Sequence, residues 1–107
     1  MSAQEQIKEI LASNKIVLFM KGTPDFPQCG FSNTAVNLIK KCGFKNEDFL
    51  SINVLADPEM RAGIKAFADW PTIPQLYVNE EFIGGSDIML EMDRSGELSD
   101  ILKPYRG

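Results

Sequence analysis

The 107-residue sequence contains no histidine. That removes every Ser-His and Cys-His catalytic pair and every imidazole-bound metal site. Cysteine is scarce as well, with only Cys29 and Cys42. One chain therefore cannot assemble a four-thiolate zinc or iron–sulfur centre, nor the disulfide framework of a small secreted scaffold. Any metal chemistry must draw ligands from outside the chain. Long apolar runs are missing: the longest, Ile16 to Met20, is far too short to span a bilayer. Positive charge is in the minority, 11 Lys and Arg against 15 Asp and Glu for a net charge of −4, which argues against a nucleic-acid partner. Met1-Ser2-Ala3-Gln4-Glu5-Gln6 has neither the basic start and apolar stretch of a secretory signal nor the arginines of a transit peptide. The expected location is cytoplasmic, or an organelle matrix if a transit peptide has been removed.

What is present is ordinary globular composition, 44% hydrophobic and 24% charged. The length suits one domain over residues 1–107, because two cores of roughly 50 residues each are hard to stabilise. Ser2 and Glu5 read as a capping box, after which Ala3, Ile7, Ile10 and Leu11 share a helical face as far as Ser13-Asn14. Ile16–Met20 is unalternated and β-rich, as a strand buried on both faces should be. Lys21 to Gln28 holds two prolines and a glycine and reads as a loop without a ladder. Phe31, Ala35, Leu38, Ile39 and Cys42 then recur with helical spacing up to Gly43.

Phe49 to Val54 alternates as a strand, with Leu50, Ile52 and Val54 on one face. Asp57-Pro58 is an N-cap and first-turn proline for a helix burying Met60, Ile64, Phe67 and Ala68. Trp70 to Pro74 leads rigidly into a β-rich run, Gln75 to Val78. Asn79-Glu80 makes a two-residue hairpin into Glu81-Phe82-Ile83. Gly84-Gly85-Ser86-Asp87 opens a helix through Ile88, Met89 and Met92, and a short final helix precedes Pro104. The order αβαβαββα(α), with a right-handed parallel crossover between the first two strands, predicts an α/β protein. Its four-stranded mixed sheet is flanked by helices on both faces.

The chemistry concentrates at Cys29, where strand, bent loop and helix start meet. Free N–H groups and the helix dipole favour a thiolate there, and Lys21 adds a positive charge. A packed, inert thiol is the plain alternative; for Cys42, on the apolar stripe, that plain reading is preferred. The two cysteines are thirteen positions apart, about 20 Å of helical rise, too far for a disulfide. Ser32 stands where a Cys-x-x-Cys motif has its second thiol, and cannot resolve a mixed disulfide.

Lys21-Gly22-Thr23-Pro24 with Cys29-Gly30-Phe31-Ser32, then Trp70-Pro71-Thr72-Ile73-Pro74-Gln75, then Gly84-Gly85-Ser86-Asp87-Ile88 resemble the monothiol, CGFS-type glutaredoxins of the single-domain class. The resemblance implies a thioredoxin-like fold, a cis Ile73–Pro74 bond, glutathione binding, and a [2Fe–2S] cluster bound by Cys29 and shared with a second protomer. It places glutathione against Lys21, Arg61, Lys65, Thr72, Ile73, Pro74, Gly85, Ser86 and Asp87. These assignments make chemical sense. Ile73, held extended before Pro74, has backbone to pair with a peptide. The helix start at Gly85–Asp87 can take a carboxylate, and Asp87 an ammonium.

Read without the resemblance, Ser86 or Asp87 is a simple cap, Arg61 and Lys65 are a solvated helix face, and Phe26 and Trp70 are core aromatics. Family members often carry Cys at the position of Ser86, so any redox role of that cysteine is absent here. The implied function is cluster assembly and transfer to apoproteins, as a cluster-bridged homodimer with BolA-like proteins as partners. The rival is a glutathione-dependent oxidoreductase working by Cys29 alone, weak at most in the family. A bare protein-contact scaffold is the third reading.

Overall fold

The structure, a computed structural model, describes residues 1–106. The elements run α1 (Ala3–Ser13), β1 (Ile16–Met20), α2 (Gly30–Lys41), β2 (Leu50–Asn53), α3 (Pro58–Ala68), β3 (Gln75–Val78), β4 (Glu81–Gly84), α4 (Ser86–Ser95) and α5 (Glu97–Leu102). The sheet order is β2-β1-β3-β4, with β1 parallel to β2 and the other neighbours antiparallel. This is the predicted mixed sheet.

β1 organises the molecule because all five of its residues are buried. Alternate side chains of a strand leave on opposite faces, and the two apolar clusters divide accordingly. Ile16, Leu18 and Met20 pack with Val36 and Ile39 of α2, Met89 of α4 and Leu98 of α5. Val17 and Phe19 pack with Ile7 of α1 and Ile64 of α3. Each buried side chain of this size contributes roughly 1.5–3 kcal/mol, so this strand alone supplies an amount comparable to a small protein's net stability.

Local signals place the ends. Ser2 Oγ accepts from Glu5 N–H and Asp57 Oδ1 from Met60 N–H, so α1 and α3 start as their sequences predict. The hairpin residues Asn79 and Glu80 have φ of 51° and 71°, as a tight turn between twisted strands requires.

The register gathers four chain ends at one edge of the sheet. Met20 faces Asn53, Phe19 faces Gln75, and Leu76 faces Gly84. Lys21, Asn53, Pro74 and Gly85 therefore emerge side by side.

Several details depart from expectation. Val54 does not extend β2 but opens a 3-10 turn, Val54–Ala56, because Asn53 Oδ1 takes the Leu55 N–H. Its side chain still joins Leu50 and Ile52 on one face. The Lys21–Gln28 loop holds an isolated bridge, Gly22 to Pro27. Phe31, expected on the buried stripe of α2, is 65% exposed. In this first turn it is the next residue, Ser32, that takes the buried position, and Phe31 points out toward the cleft it lines. The short final helix α5 does end before Pro104, but the chain then continues into a terminal 3-10 turn, Lys103–Tyr105, that contains this proline.

Candidate functional site: a helix-capping thiol beside a peptide-sized cleft

Cys29 is the N-cap of α2, in extended backbone conformation. The loop before it is folded back tightly. Thr23 and Phe26 exchange backbone hydrogen bonds, and Gln28 N–H donates to Lys21 O at 2.9 Å. Gly22, at φ 91°, makes this possible: a Cβ there would lie 2.5 Å from Phe26 O, so no larger residue fits. Asn53 Oδ1 accepts the Gly22 N–H at 3.0 Å and ties the loop to the end of β2.

Three donors converge on the sulfur. Ser32 N–H reaches Cys29 Sγ at 3.3 Å, and Ser32 Oγ lies 3.4 Å from it. The same Oγ accepts Lys21 N–H at 3.0 Å. One lone pair being taken, the hydroxyl proton is free to point at the sulfur. Burial works against the Cys29 thiolate, but the Ser32 hydroxyl, the Ser32 and Phe31 N–H groups and the Lys21 charge outweigh it. Together they hold the thiol below its ordinary value.

Ser32 was legible only as a missing second thiol. Its position three residues after an N-cap was the overlooked signal, since that residue's N–H meets the capping side chain. Cys42 sits at the other end of α2, buried, with its thiol pushed up by burial and then by Asp93. The two thiols are not brought together.

Beside this centre lies a cleft of about 200 Å³. Thr72, Ile73 and Pro74 line it from one side of the chain, Gly85, Ser86 and Asp87 from another, with Phe31 and Trp70 at hand. Six of the residues singled out from sequence thus meet in one place. The Ile73–Pro74 bond is cis. The Ile73 side chain packs into the core with Tyr77 and Ile64, so what it offers the cleft is backbone. Neither its N–H nor its carbonyl is hydrogen-bonded within the described residues.

The start of α4 is also open. Gly85 is the N-cap and no side chain caps it, so neither Ser86 nor Asp87 plays the simple capping role. The uncapped N–H groups and the positive end of the helix dipole face an anion's natural place. Arg61 and Lys65 lie on α3, half-exposed, and neither lines the cleft nor forms an ion pair among the described residues. Phe26 is 74% exposed and stands apart from the cleft.

A nucleophile-bearing helix start beside the Ile73–Pro74 turn, on this sheet order, defines a thioredoxin-like protein. The glutaredoxin family model matches residues 16–83. The chain is 54% identical over 100 residues to the mitochondrial monothiol glutaredoxin-5 of Saccharomyces cerevisiae, covering 94% of this chain and 67% of that one. It is 50% identical over 98 residues to an uncharacterised ycf64-like monothiol glutaredoxin of Synechocystis, covering 92% and 89% respectively. Among solved structures, reduced apo GrxS14 of poplar superposes with a TM-score of 0.80 at 44% identity, covering 95% of this chain and 91% of that one. The chain belongs to the glutaredoxin family, among its monothiol members. No helix among the described residues is long and apolar enough to cross a membrane.

Proposed function

We propose that this glutaredoxin binds glutathione in the Thr72–Asp87 cleft and, with it, carries a [2Fe–2S] cluster as cargo between two copies of the chain, for delivery to apoproteins. The observation that supports it most is the isolation of Cys29. It is the one thiol that is not buried, it is stabilised as an anion, and among the described residues no group of three His, Cys, Asp or Glu could hold a metal. A cluster of this kind takes four terminal ligands, so Cys29 fits only with ligands from elsewhere. Two Cys29 thiolates and two glutathione thiols make four.

The tripeptide suits the cleft. Its chain can pair with the open backbone of Ile73. The γ-glutamyl carboxylate suits the uncapped start of α4, and its ammonium suits Asp87. Lys21, Arg61 and Lys65 would serve the glycine end. A glutathione so held presents its sulfur at high local concentration. BolA-like proteins and cluster-accepting apoproteins are the partners this reading calls for. An aqueous compartment that keeps thiols reduced, cytoplasm or organelle matrix, is the setting.

The lowered Cys29 pKa favours one further reading, glutathione-dependent thiol–disulfide exchange. There Cys29 attacks a glutathionylated protein, releases the protein thiol, and is freed by a second glutathione that leaves as the disulfide. Anaerobic reconstitution with iron, sulfide and glutathione, followed by visible absorbance and sizing, separates the two. A coloured dimer that needs both Cys29 and glutathione and is indifferent to Cys42→Ser is expected. A coloured monomer formed without glutathione overturns the carrier reading.

A further inference from the structure

Gln75, the first residue of β3, has a completely buried side chain in an otherwise apolar strand. A buried amide is costly unless its polar atoms are paired, and here they are. Oε1 accepts the Tyr77 hydroxyl at 3.0 Å, and Nε2 donates to the carbonyls of Trp70 at 3.3 Å and Thr72 at 3.2 Å. Both donated bonds go to the segment that lines the cleft. The Thr72–Ile73 peptide bond is trans, the cis bond being the next one. In a planar trans peptide the carbonyl and the following N–H point opposite ways. Drawing the Thr72 carbonyl inward onto Gln75 thus turns the Ile73 N–H outward, and that N–H has no partner within the described residues.

We propose that Gln75 is a positioning residue that aims the Ile73 N–H into the cleft and thereby sets the affinity for a peptide ligand. The proposal rests on the reading of the cleft as the glutathione site. Tyr77 holds Gln75 from behind, and its hydroxyl makes no hydrogen bond to the Trp70–Thr72 segment. The two residues therefore separate positioning from general stability.

The test compares unsubstituted protein, Gln75→Met and Tyr77→Phe by calorimetric titration with glutathione, alongside thermal melts. Emission of Trp70, the only tryptophan, reports the placement of the segment. Both substitutions lower the melting temperature. Gln75→Met weakens binding about tenfold and shifts Trp70 emission, while Tyr77→Phe stays within about twofold. Unchanged affinity in Gln75→Met, or equal losses in the two, overturns the proposal.

If Gln75→Met does not fold, amide exchange in the unsubstituted protein decides. The Ile73 amide exchanges readily until glutathione is added, and the Gln75 side-chain amide is protected throughout. An Ile73 amide protected without ligand overturns the proposal. A chain that binds no glutathione refutes the reading of the cleft instead, and the exchange of Ile73 still decides its aim.

Discussion

The two ends of α2 carry the same side chain into opposite chemistry. At the N-terminal end, Cys29 faces donors: the N–H groups of Phe31 and Ser32, the Ser32 hydroxyl and the Lys21 charge. At the C-terminal end, Cys42 is buried and near Asp93, and the positive charges of Lys41 and Arg106 do not compensate. A helix leaves free N–H groups at its start and free carbonyls at its end, so an anion gains at one and loses at the other. Basic side chains near Cys42 are as plentiful as near Cys29. Thiol reactivity here follows access and hydrogen-bond donors first, with Lys21 helping the Cys29 anion and Asp93 opposing that of Cys42.

The largest expected effect is in alkylation. At neutral pH, iodoacetamide should label Cys29 about a hundredfold faster than Cys42 or more, because Cys42 reacts only from opened states lying several kcal/mol above the native one. Peptide mass spectrometry over a time course measures both rates in one sample. Comparable rates would mean that α2 does not divide the thiols as described.

A smaller effect sharpens the cause. Ser32→Ala removes the hydroxyl from Cys29 and leaves the part-buried Lys21 N–H without its acceptor. The thiolate absorbance of a Cys42→Ser, Ser32→Ala protein should titrate at higher pH than that of Cys42→Ser alone. The orphaned N–H should cost roughly 1–3 kcal/mol in denaturant melts. Unmoved titration would leave the helix start and Lys21 to account for the Cys29 thiolate.

The same contrast separates what could be read in the sequence from what could not. β1 was legible because its unbroken apolar run is short, β-rich and closed by a Gly/Pro loop, which favours a strand buried on both faces over a helix. Asp57-Pro58 and Asn79-Glu80 carried their own local geometry. The gathering of Thr72–Pro74 and Gly85–Asp87 into one cleft came from motif order, and it follows physically from the antiparallel β3–β4 pair, which returns the chain to the same edge. Polar side chains with long-range partners were not legible. Asn53 binds across to Gly22, 31 residues away, while the same Oδ1 takes the Leu55 N–H and diverts Val54 from the ladder. Gln75 reads from sequence as one more strand residue, and only the fold shows which carbonyls it reaches. Phe31 obeys the helical period, but periodicity cannot tell that its polar neighbour Ser32 is the covered residue of that turn.

The smallest expected effect is in the alkaline stability of the fold, and there the two thiols should pull in opposite directions. Cys29 has a folded-state pKa below the ordinary 9.0. Ionisation therefore favours the native state, and the contribution is present above the unfolded pKa and lost as pH falls through the folded one. Cys42 has a folded-state pKa above 9.0. Its ionisation favours the unfolded chain, so it withdraws stability as pH rises through the unfolded pKa. Melting temperatures taken from pH 7 to 10 should thus fall more steeply for Cys29→Ser than for the unsubstituted protein, and less steeply for Cys42→Ser. Serine does not ionise in this range, so each variant removes one slope and leaves the other. The Cys42 difference vanishes near neutrality, where that thiol is protonated in either state, and the Cys29 difference fades as pH falls through its folded-state pKa. Slopes of the same sign for the two variants would mean that the ends of α2 do not oppose each other in charge, whatever their difference in reactivity.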